Sequence, residues 1–280
     1  MLKLPWIAIL VVLVSCGSDD TSADPAGSGS PADILDAGVR AVLDAPTGQY
    51  MHEVVDHHFG SPVFTYSGTY DLGAESAEVV TDHYTELERE DPVEPAQTWY
   101  YKIIAGREYV KSSVWSDGAN LCWLVVDEDI ADEFVAEGVD AAGVPLAVSA
   151  LEDVTGESFD PKDQAAILGM VDLDTALNLM LAAGIAEELV DQFDGSVPAR
   201  FELNDGVVSA WQMNGVDVLE VLLELADPLD TREAAIALKA FDLRVSYAAL
   251  NNPVAVAEPE PDSHMTFDQM ETGVGCPLME

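Results

Sequence analysis

The histidines around residue 52 are the side chains whose types and spacing come nearest to a metal site. Imidazole and carboxylate groups are zinc ligands, and a closed zinc site needs about four of them. Alternate residues of a strand share a face, so a strand here would gather part of this set on one side. Polar side chains on the solvent-facing side of a strand explain the same pattern, and no HExxH motif or spaced cysteine pair supports metal, so we predict no metal site. The set comprises His52, Asp56 and His58 on one face, His57 on the other, and His83 farther along the chain.

Motifs for other catalytic chemistry are missing from the sequence. A serine nucleophile needs a base and an orienting acid in reach, but there is no GxSxG motif. GxGxxG and Walker loops for phosphate and DxDxDG loops for calcium are also missing. Carboxylate pairs of the kind that hydrolyse glycosides are so abundant in this acidic chain that none stands out. We therefore predict a protein that is not an enzyme and uses no cofactor. Ser67, Ser112, Ser113 and Ser149 are the serines that nothing links to a histidine.

Cys16 ends an N-terminal segment that is typical of an export signal. Lys3 supplies a positive charge, and residues 6–14 form an apolar run. The run is too short for a bilayer core, which needs about 20 apolar residues, but it fits the apolar region of a signal peptide. We predict a signal peptide over residues 1–15. The alternatives are an ordinary signal peptide with a chance cysteine and an N-terminal membrane anchor that is kept.

The residues before Cys16 indicate what happens to its thiol. Leu13, Val14, Ser15 and Cys16 resemble the lipobox of bacterial lipoproteins, in which the cysteine receives a diacylglyceryl group before cleavage. Two acyl chains anchor a protein stably, whereas one is marginal. Residues 16–31 are rich in Gly, Ser and Pro, which predicts a flexible tether with a reach of roughly 20 Å. The expected location is the extracytoplasmic face of the cell membrane.

The charge of the chain limits its partners. The formal net charge is −41, from 52 acidic and 11 basic residues spread along the sequence. Phosphate binding needs clustered Lys and Arg, so we predict no nucleic-acid partner. An anionic membrane surface would repel the domain as well. The charge therefore predicts a solvated acidic surface, with the membrane reached only through the lipid anchor.

Two cysteines remain after Cys16. Cys122 and Cys276 form an even pair in an oxidising compartment, where disulfides persist. A bridge would fasten the C-terminal tail to a strand over residues 121–126. Sequence separation does not give distance in space, so a buried free thiol at Cys122 and an exposed one at Cys276 is the alternative.

The first half of the chain has a β pattern behind one short helix. Apolar spacing predicts a helix over residues 32–45. Short runs rich in Val, Ile, Thr and aromatic residues follow, separated by turn residues, which predicts an antiparallel meander. The predicted strands are residues 50–58, 64–71, 77–84, 98–104, 108–114 and 121–126.

The second half has a mixed pattern. Residues 127–194 are typical of helices, the clearest being 172–183. The turn Asp205–Gly206 predicts a hairpin between residues 197–203 and 207–213, because both positions tolerate positive φ. We also predict a helix over 216–226, strands over 241–247 and 253–256, and an acidic tail over 261–280 that is loose unless Cys276 fastens it.

The order of these elements resembles the LolA-like superfamily, and within it the actinobacterial lipoproteins of the LppX/LprA/LprF/LprG type. The resemblance lies in residues 100–111, 177–195, 197–225 and 243–259. It implies one α+β domain over residues 32–260, with a strongly curved antiparallel sheet, a half-barrel, and helices on its concave face. The acidic insert 127–162 and the tail beyond Pro259 do not fit the family pattern.

The resemblance also implies a function. Family members hold a lipid or other long apolar ligand between sheet and helices, for carriage or presentation in the cell envelope. The apolar helix faces would line such a site, although simple core packing explains them equally well. The alternative is a scaffold or interaction lipoprotein with a solid core. The expected lining residues are Leu173, Leu177, Met180, Leu181, Val218, Leu219, Leu222 and Leu225.

Overall fold

The computed structural model describes residues 29–84, 95–115, 122–126, 144–180, 194–225 and 232–271. In these residues twelve strands form one open sheet with the order β12-β6-β5-β4-β3-β2-β1-β11-β10-β9-β8-β7. The pairings are antiparallel except that β12 runs parallel to β6. The strands are β1 Thr47–Asp56, β2 Pro62–Asp71, β3 Ser76–His83, β4 Gln97–Ile104, β5 Arg107–Ser112, β6 Trp123–Val126, β7 Thr155–Asp160, β8 Asp163–Asp172, β9 Ser196–Asn204, β10 Val207–Asn214, β11 Phe241–Ala248 and β12 His264–Met265.

Helices cover one face of this sheet, which we call the inner face. α1 packs on β7 and β10, α3 on β8 and β9, α4 on β9 to β11, α5 on β11 and α2 on β1. Buried residues of these helices share one continuous hydrophobic core with the inner face. The α+β class predicted from the sequence is confirmed, with a curved, mostly antiparallel sheet that does not close. The helices of the described residues are α1 Pro31–Leu43, α2 Leu146–Ser149, α3 Leu173–Met180, α4 Gly215–Leu225, α5 Arg232–Ala240 and α6 Phe267–Glu271.

Local sequence explains where α1 begins and which side it buries. Ser30 and Asp33 form a capping box, in which each side chain bonds the backbone N–H of the other. This pairing satisfies donors that the first turn of a helix leaves free. Leu35, Val39 and Val42 recur at helical spacing and are buried. The helix predicted over residues 32–45 is therefore confirmed.

The β9–β10 hairpin also follows from its turn. Asp205 has φ 51° and Gly206 has φ 80°. Two successive positive φ angles match the right-handed twist of the flanking strands, which is why Asp-Gly favours such turns. The helix that follows is the predicted one, since α4 begins at Gly215 and ends at Leu225.

The helical interpretation of residues 127–194 is wrong for residues 155–172, whereas α3 lies within the helix predicted over 172–183. Thr155–Asp160 and Asp163–Asp172 form β7 and β8. Residues 165–171 are apolar, which suits a helix or a strand, and pairing with β9 decides between them. Gly169 shows how close this pairing is, because a Cβ there would lie 2.2 Å from the Thr155 carbonyl oxygen. The acidic insert thus contributes the edge strand β7.

The predicted strand over residues 253–256 is wrong, and no strand lies there. The chain instead crosses β4 and β5, where Lys102 Nζ donates to the Ala257 carbonyl at 3.0 Å and Tyr109 Oη donates to Glu258 Oε1 at 2.5 Å. It then adds β12 to the sheet edge and places α6 against β6. Residues 261–271, assigned from sequence to the tail, are therefore partly built into the sheet. α5 was not predicted.

Crossing a bilayer core takes a helix of about 20 apolar residues. None of those in residues 29–271 that the structure describes is both long and apolar enough for that.

Candidate functional site

The residues predicted to line an apolar site are packed into the core. Leu173, Leu177 and Met180 on α3 and Val218, Leu219 and Leu222 on α4 are all buried within one cluster. Leu225 is 45% exposed and does not join them. Leu181 lies outside the described residues.

The strands beneath α3 and α4 present an apolar inner face. Ile167, Phe201, Trp211 and Val245 stand side by side in register on β8, β9, β10 and β11. All four are almost fully buried, and the rings of Phe201 and Trp211 stack with centroids 6.0 Å apart. We call the inner face of β8–β11 the helix-packed half. Side chains of this kind, interdigitated with helices, are typical of a solid core.

The inner face of β1–β5, which we call the aromatic half, has a different composition. His52, Tyr66, Thr81, Trp99 and Ser112 stand in register across its five strands. The ring of His52 stacks on Tyr66 at 4.8 Å between centroids. This row thus includes the polar side chains of His52, Thr81 and Ser112, whereas the same row in the helix-packed half holds only Ile, Phe, Trp and Val.

Two tyrosines extend this aromatic surface, and two glycines make room for them. Tyr50 stands opposite Gly68, and Tyr70 stands opposite Gly48. A Cβ at Gly68 would lie 2.9 Å from the Tyr50 ring, and one at Gly48 would lie 2.6 Å from the Tyr70 hydroxyl. Any larger residue at either position would displace the tyrosine beside it.

Four polar atoms of the aromatic half have no hydrogen-bond partner among the described residues. They are Tyr50 Oη, His52 Nε2, Tyr70 Oη and Thr81 Oγ1. The four side chains are between 0% and 4% exposed. A buried polar atom without a partner costs about 1–3 kcal/mol, and folded proteins contain few of them. The aromatic half therefore holds hydrogen-bonding capacity that the described part of the fold does not use.

Burial also keeps these groups uncharged. It lowers the pKa of His52 to about 4, although a hydrogen bond from the ring to the Leu179 backbone partly opposes this effect. It raises the pKa of the Tyr50 and Tyr70 hydroxyls above their usual value. At neutral pH the four groups are therefore a neutral imidazole and three hydroxyls, which suit uncharged polar partners.

The structure contradicts the face assignment that made a zinc site conceivable. β1 ends at Asp56, and a bulge between Val54 and Val55 interrupts its alternation. Asp56 Oδ1 accepts from the backbone N–H groups of His58 and Phe59, each at 2.8 Å. Residues 57 and 58 thus lie beyond the strand and do not share the face of His52.

The histidines of this set have other neighbours. His57 Nδ1 lies 2.9 Å from Asp242 Oδ2, and the ring of His83 packs edge-on against Phe64. Within the part of the chain that the structure describes, no three His, Cys, Asp or Glu side chains could hold a metal ion together.

The opposite face of the sheet carries a groove of about 470 Å³ across β8–β11. Its central cation, Arg200, is held by Asp160 and Asp163 at 2.8 Å each, and also by Glu202. These ion pairs keep the pKa of Asp160 below its usual range. None of the predicted lining residues that the structure describes reaches this groove, whose wall mixes polar and apolar residues.

Cys122 is fully buried and disulfide-bonded. It packs with Leu124 and Met265 in a small second core, beside Phe267 and Met270 of α6. Cys276 and Cys16 lie outside the described residues, so both the predicted Cys122–Cys276 bridge and the lipid anchor remain predictions.

Sequence reasoning missed three of the four unpaired groups, and it considered His52 only as a zinc ligand, a role that it rejected. Tyr50, Tyr70 and Thr81 were treated as ordinary strand residues. A usable signal was present, because alternation within each strand places Tyr50 and His52 on the same face as buried Val54. Polar residues on an otherwise buried face would have identified part of the site.

Among known proteins, matches to this chain are found only with solved structures. No family model and no curated protein matches the sequence. Among solved structures, the chain is similar to the crystal structure of LprF from Mycobacterium bovis, with 13% sequence identity and a TM-score of 0.44. The match covers 82% of this chain and 99% of that one.

Proposed function

We propose that this protein is a lipid-anchored, extracytoplasmic lipoprotein that binds a long apolar ligand of the lipid type on the aromatic half. The composition of that half supports the proposal most directly. Ligand sites are mostly apolar and aromatic, with a few polar groups that orient the ligand. The aromatic half combines Tyr66, Trp99 and Tyr101 with buried polar atoms that have no partner among the described residues, whereas the buried Trp211 and Tyr247 of the helix-packed half are bonded to each other.

The binding energy would come from apolar contact. Burying acyl chains yields about 25 cal/mol per Å² of apolar area. The aromatic rings offer flat surfaces for this contact, as shown by the stacking of Trp99 and Tyr101 with centroids 6.4 Å apart. The proposed role is binding without catalysis, for carriage or presentation of the ligand in the cell envelope.

The N-terminal segment explains how the domain would meet its ligand. Cys16 would carry the anchoring lipid, and α1 begins at Pro31. The intervening tether has a reach of roughly 20 Å, which keeps the domain near the bilayer without fixing its orientation. A ligand could then be taken from, or delivered to, the membrane that holds the protein.

Native mass spectrometry tests this proposal. The full chain, purified in detergent and freed of bound lipid, is expected to take up one molecule of 1,2-dioleoylglycerol. Val79→Phe enlarges a side chain that is 1% exposed on the inner face of β3 and should reduce the bound fraction. Val80→Phe places the same ring on the opposite face of the same strand and should leave uptake unchanged.

Circular dichroism confirms that both variants are folded before uptake is compared. Failure of the folded wild-type chain to bind the lipid would contradict the proposal. The second candidate, a scaffold lipoprotein with a solid core, predicts that result. It is favoured by the packing of Leu173, Leu177 and Met180 into the core rather than around a cavity.

A further inference from the structure

The groove of about 470 Å³ across β8–β11 holds two arginines in opposite situations. We call this groove, on the face of the sheet opposite the helices, the outer groove. Arg200 is saturated by the three carboxylates described above. Arg244 stands in the same register row, with Gln212 between them, and has no hydrogen bond or ion pair with any described residue. Glu53 stands opposite it on β1, but the two side chains form no ion pair.

An arginine without a carboxylate partner is unexpected in a chain with 52 acidic and 11 basic residues. The Arg244 side chain is exposed, and its guanidinium group offers five N–H donors in a planar fork that matches a carboxylate. Gln212, its neighbour on β10, adds a side-chain amide that can both donate and accept. Arg244 can therefore receive the carboxylate of a ligand without breaking a contact of the described fold.

The outer groove also holds carboxylates that the fold leaves free. Asp217, in the first turn of α4, and Glu157, on β7, have no hydrogen bond or ion pair with the residues that the structure describes. A third lining carboxylate, Asp242, is bonded to His57 instead. The free carboxylates would repel a purely anionic ligand, and Arg244 would repel a purely cationic one. The charges thus favour a ligand that carries both signs.

The rest of the outer groove offers apolar contact. Leu168 and Met170 on β8 and Pro198 on β9 line it and are partly or fully exposed. Three strand spacings separate the Cα atoms of Leu168 and Arg244 by roughly 14 Å. The volume lies within the range of sites for small molecules, about 300–1,000 Å³. A ligand that fills the groove therefore combines charged ends with apolar groups along its length.

We propose that the outer groove binds a short apolar peptide with free termini, whose carboxylate pairs with Arg244, whose ammonium group pairs with Asp217 and whose side chains contact Leu168 and Met170. Two or three extended residues span about 7–10 Å, which suits the groove once the length of the Arg244 side chain is included. The Gln212 amide matches the donors and acceptors of a peptide group. The site lies on the other face of the sheet from the aromatic half, so it does not depend on the proposed function.

Isothermal titration calorimetry of the full chain with three peptides tests this inference. Leucyl-leucine carries both charges, N-acetyl-leucyl-leucine lacks the ammonium group and leucyl-leucinamide lacks the carboxylate. The wild type should bind leucyl-leucine roughly fivefold to tenfold more tightly than either capped peptide. Each lost partner should be worth more than an exposed ion pair and less than a buried hydrogen bond to a charged group.

Single variants assign the two ends of the peptide. Arg244→Gln should abolish the preference over leucyl-leucinamide and keep the preference over N-acetyl-leucyl-leucine. Asp217→Asn should do the reverse. Lys239→Gln removes an exposed cation of α5 that does not line the outer groove, and it should change neither preference.

The wild-type comparison decides the inference, so it does not depend on whether a variant folds. Equal affinity for the three peptides, or no saturable binding of any of them, overturns it. Loss of both preferences in folded Arg244→Gln also overturns it, because the arginine would then shape the groove rather than pair with the carboxylate. None of these results bears on lipid uptake by the aromatic half, which is measured separately.

Discussion

The helix-packed half and the aromatic half treat their buried polar groups in opposite ways. On the helix-packed side, Trp211 Nε1 donates to Tyr247 Oη at 2.9 Å, and that hydroxyl donates to the Ala147 carbonyl of α2. One strand away, Tyr50 stands in register with Tyr247, and its hydroxyl has no partner among the described residues. Neighbouring tyrosines on one face thus have different roles.

The satisfied polar groups help to specify the fold, whereas the unsatisfied ones are available to bind a ligand. A satisfied buried network rigidifies a core and favours one arrangement of it. Unsatisfied groups cost stability, and proteins that keep them commonly use them at functional sites. Both halves share one hydrophobic core, and the aromatic half, which holds the unsatisfied groups, is the part we expect to respond to a ligand.

The largest expected effect concerns the sheet edge beyond the aromatic half. The helix-packed half is bounded by β7, on which α1 packs, whereas the other edge is held by β12, α6 and the disulfide of Cys122. Cys276 lies only five residues beyond Glu271 of α6, a reach of up to roughly 17 Å. Cys276→Ser should lower the free energy of unfolding by about 2–5 kcal/mol, because a long loop is no longer closed.

Urea denaturation with and without reductant measures this loss, and peptide mapping under non-reducing conditions identifies the partner of Cys122. Reductant should destabilise the wild type but leave Cys276→Ser unchanged. A peptide map that joins Cys122 to another cysteine would contradict the predicted pairing.

A smaller effect should appear on acidification, through His52. Its pKa in the folded chain is about 4, below the ordinary value of 6.5, because burial disfavours the charged imidazole. The unfolded chain therefore binds a proton first as pH falls, and stability is lost between pH 6.5 and 4. The loss attributable to this group is about 3 kcal/mol, at 1.36 kcal/mol for each pKa unit.

Comparison of variants isolates this contribution from the many carboxylates of the chain. The difference in unfolding free energy between wild type and His52→Phe should change with pH over that window, and the difference between wild type and Thr81→Val should not. Tyr50, two residues before His52 on β1, is a titratable neighbour on the same face, and burial raises the pKa of its hydroxyl, so it stays neutral at these pH values. A flat difference for His52→Phe would show that the imidazole is accessible to water.

The sequence predicted correctly those elements that are specified by a few neighbouring residues. The Asp205–Gly206 turn, the amphipathic α4 and the β1–β5 meander needed no information from elsewhere in the chain. β7 and β8 were missed because residues 165–171 suit either structure, and only pairing with β9 decides. The candidate site was missed for a related reason, since whether a tyrosine hydroxyl finds a partner depends on strands far away in sequence.

The smallest expected effect comes from two variants that each remove one tyrosine hydroxyl, one in each half. They test the comparison between the halves most directly. Tyr247→Phe leaves the indole N–H of Trp211 and the Ala147 carbonyl without their partner, and it should lower the free energy of unfolding by about 1–3 kcal/mol. Tyr70→Phe removes an atom that has no partner among the described residues, so the stability of the ligand-free chain should stay the same or rise slightly. Chemical denaturation of delipidated protein measures both values. Equal losses for the two variants would mean that the Tyr70 hydroxyl is satisfied within the folded chain, and the aromatic half would then be a core like its neighbour.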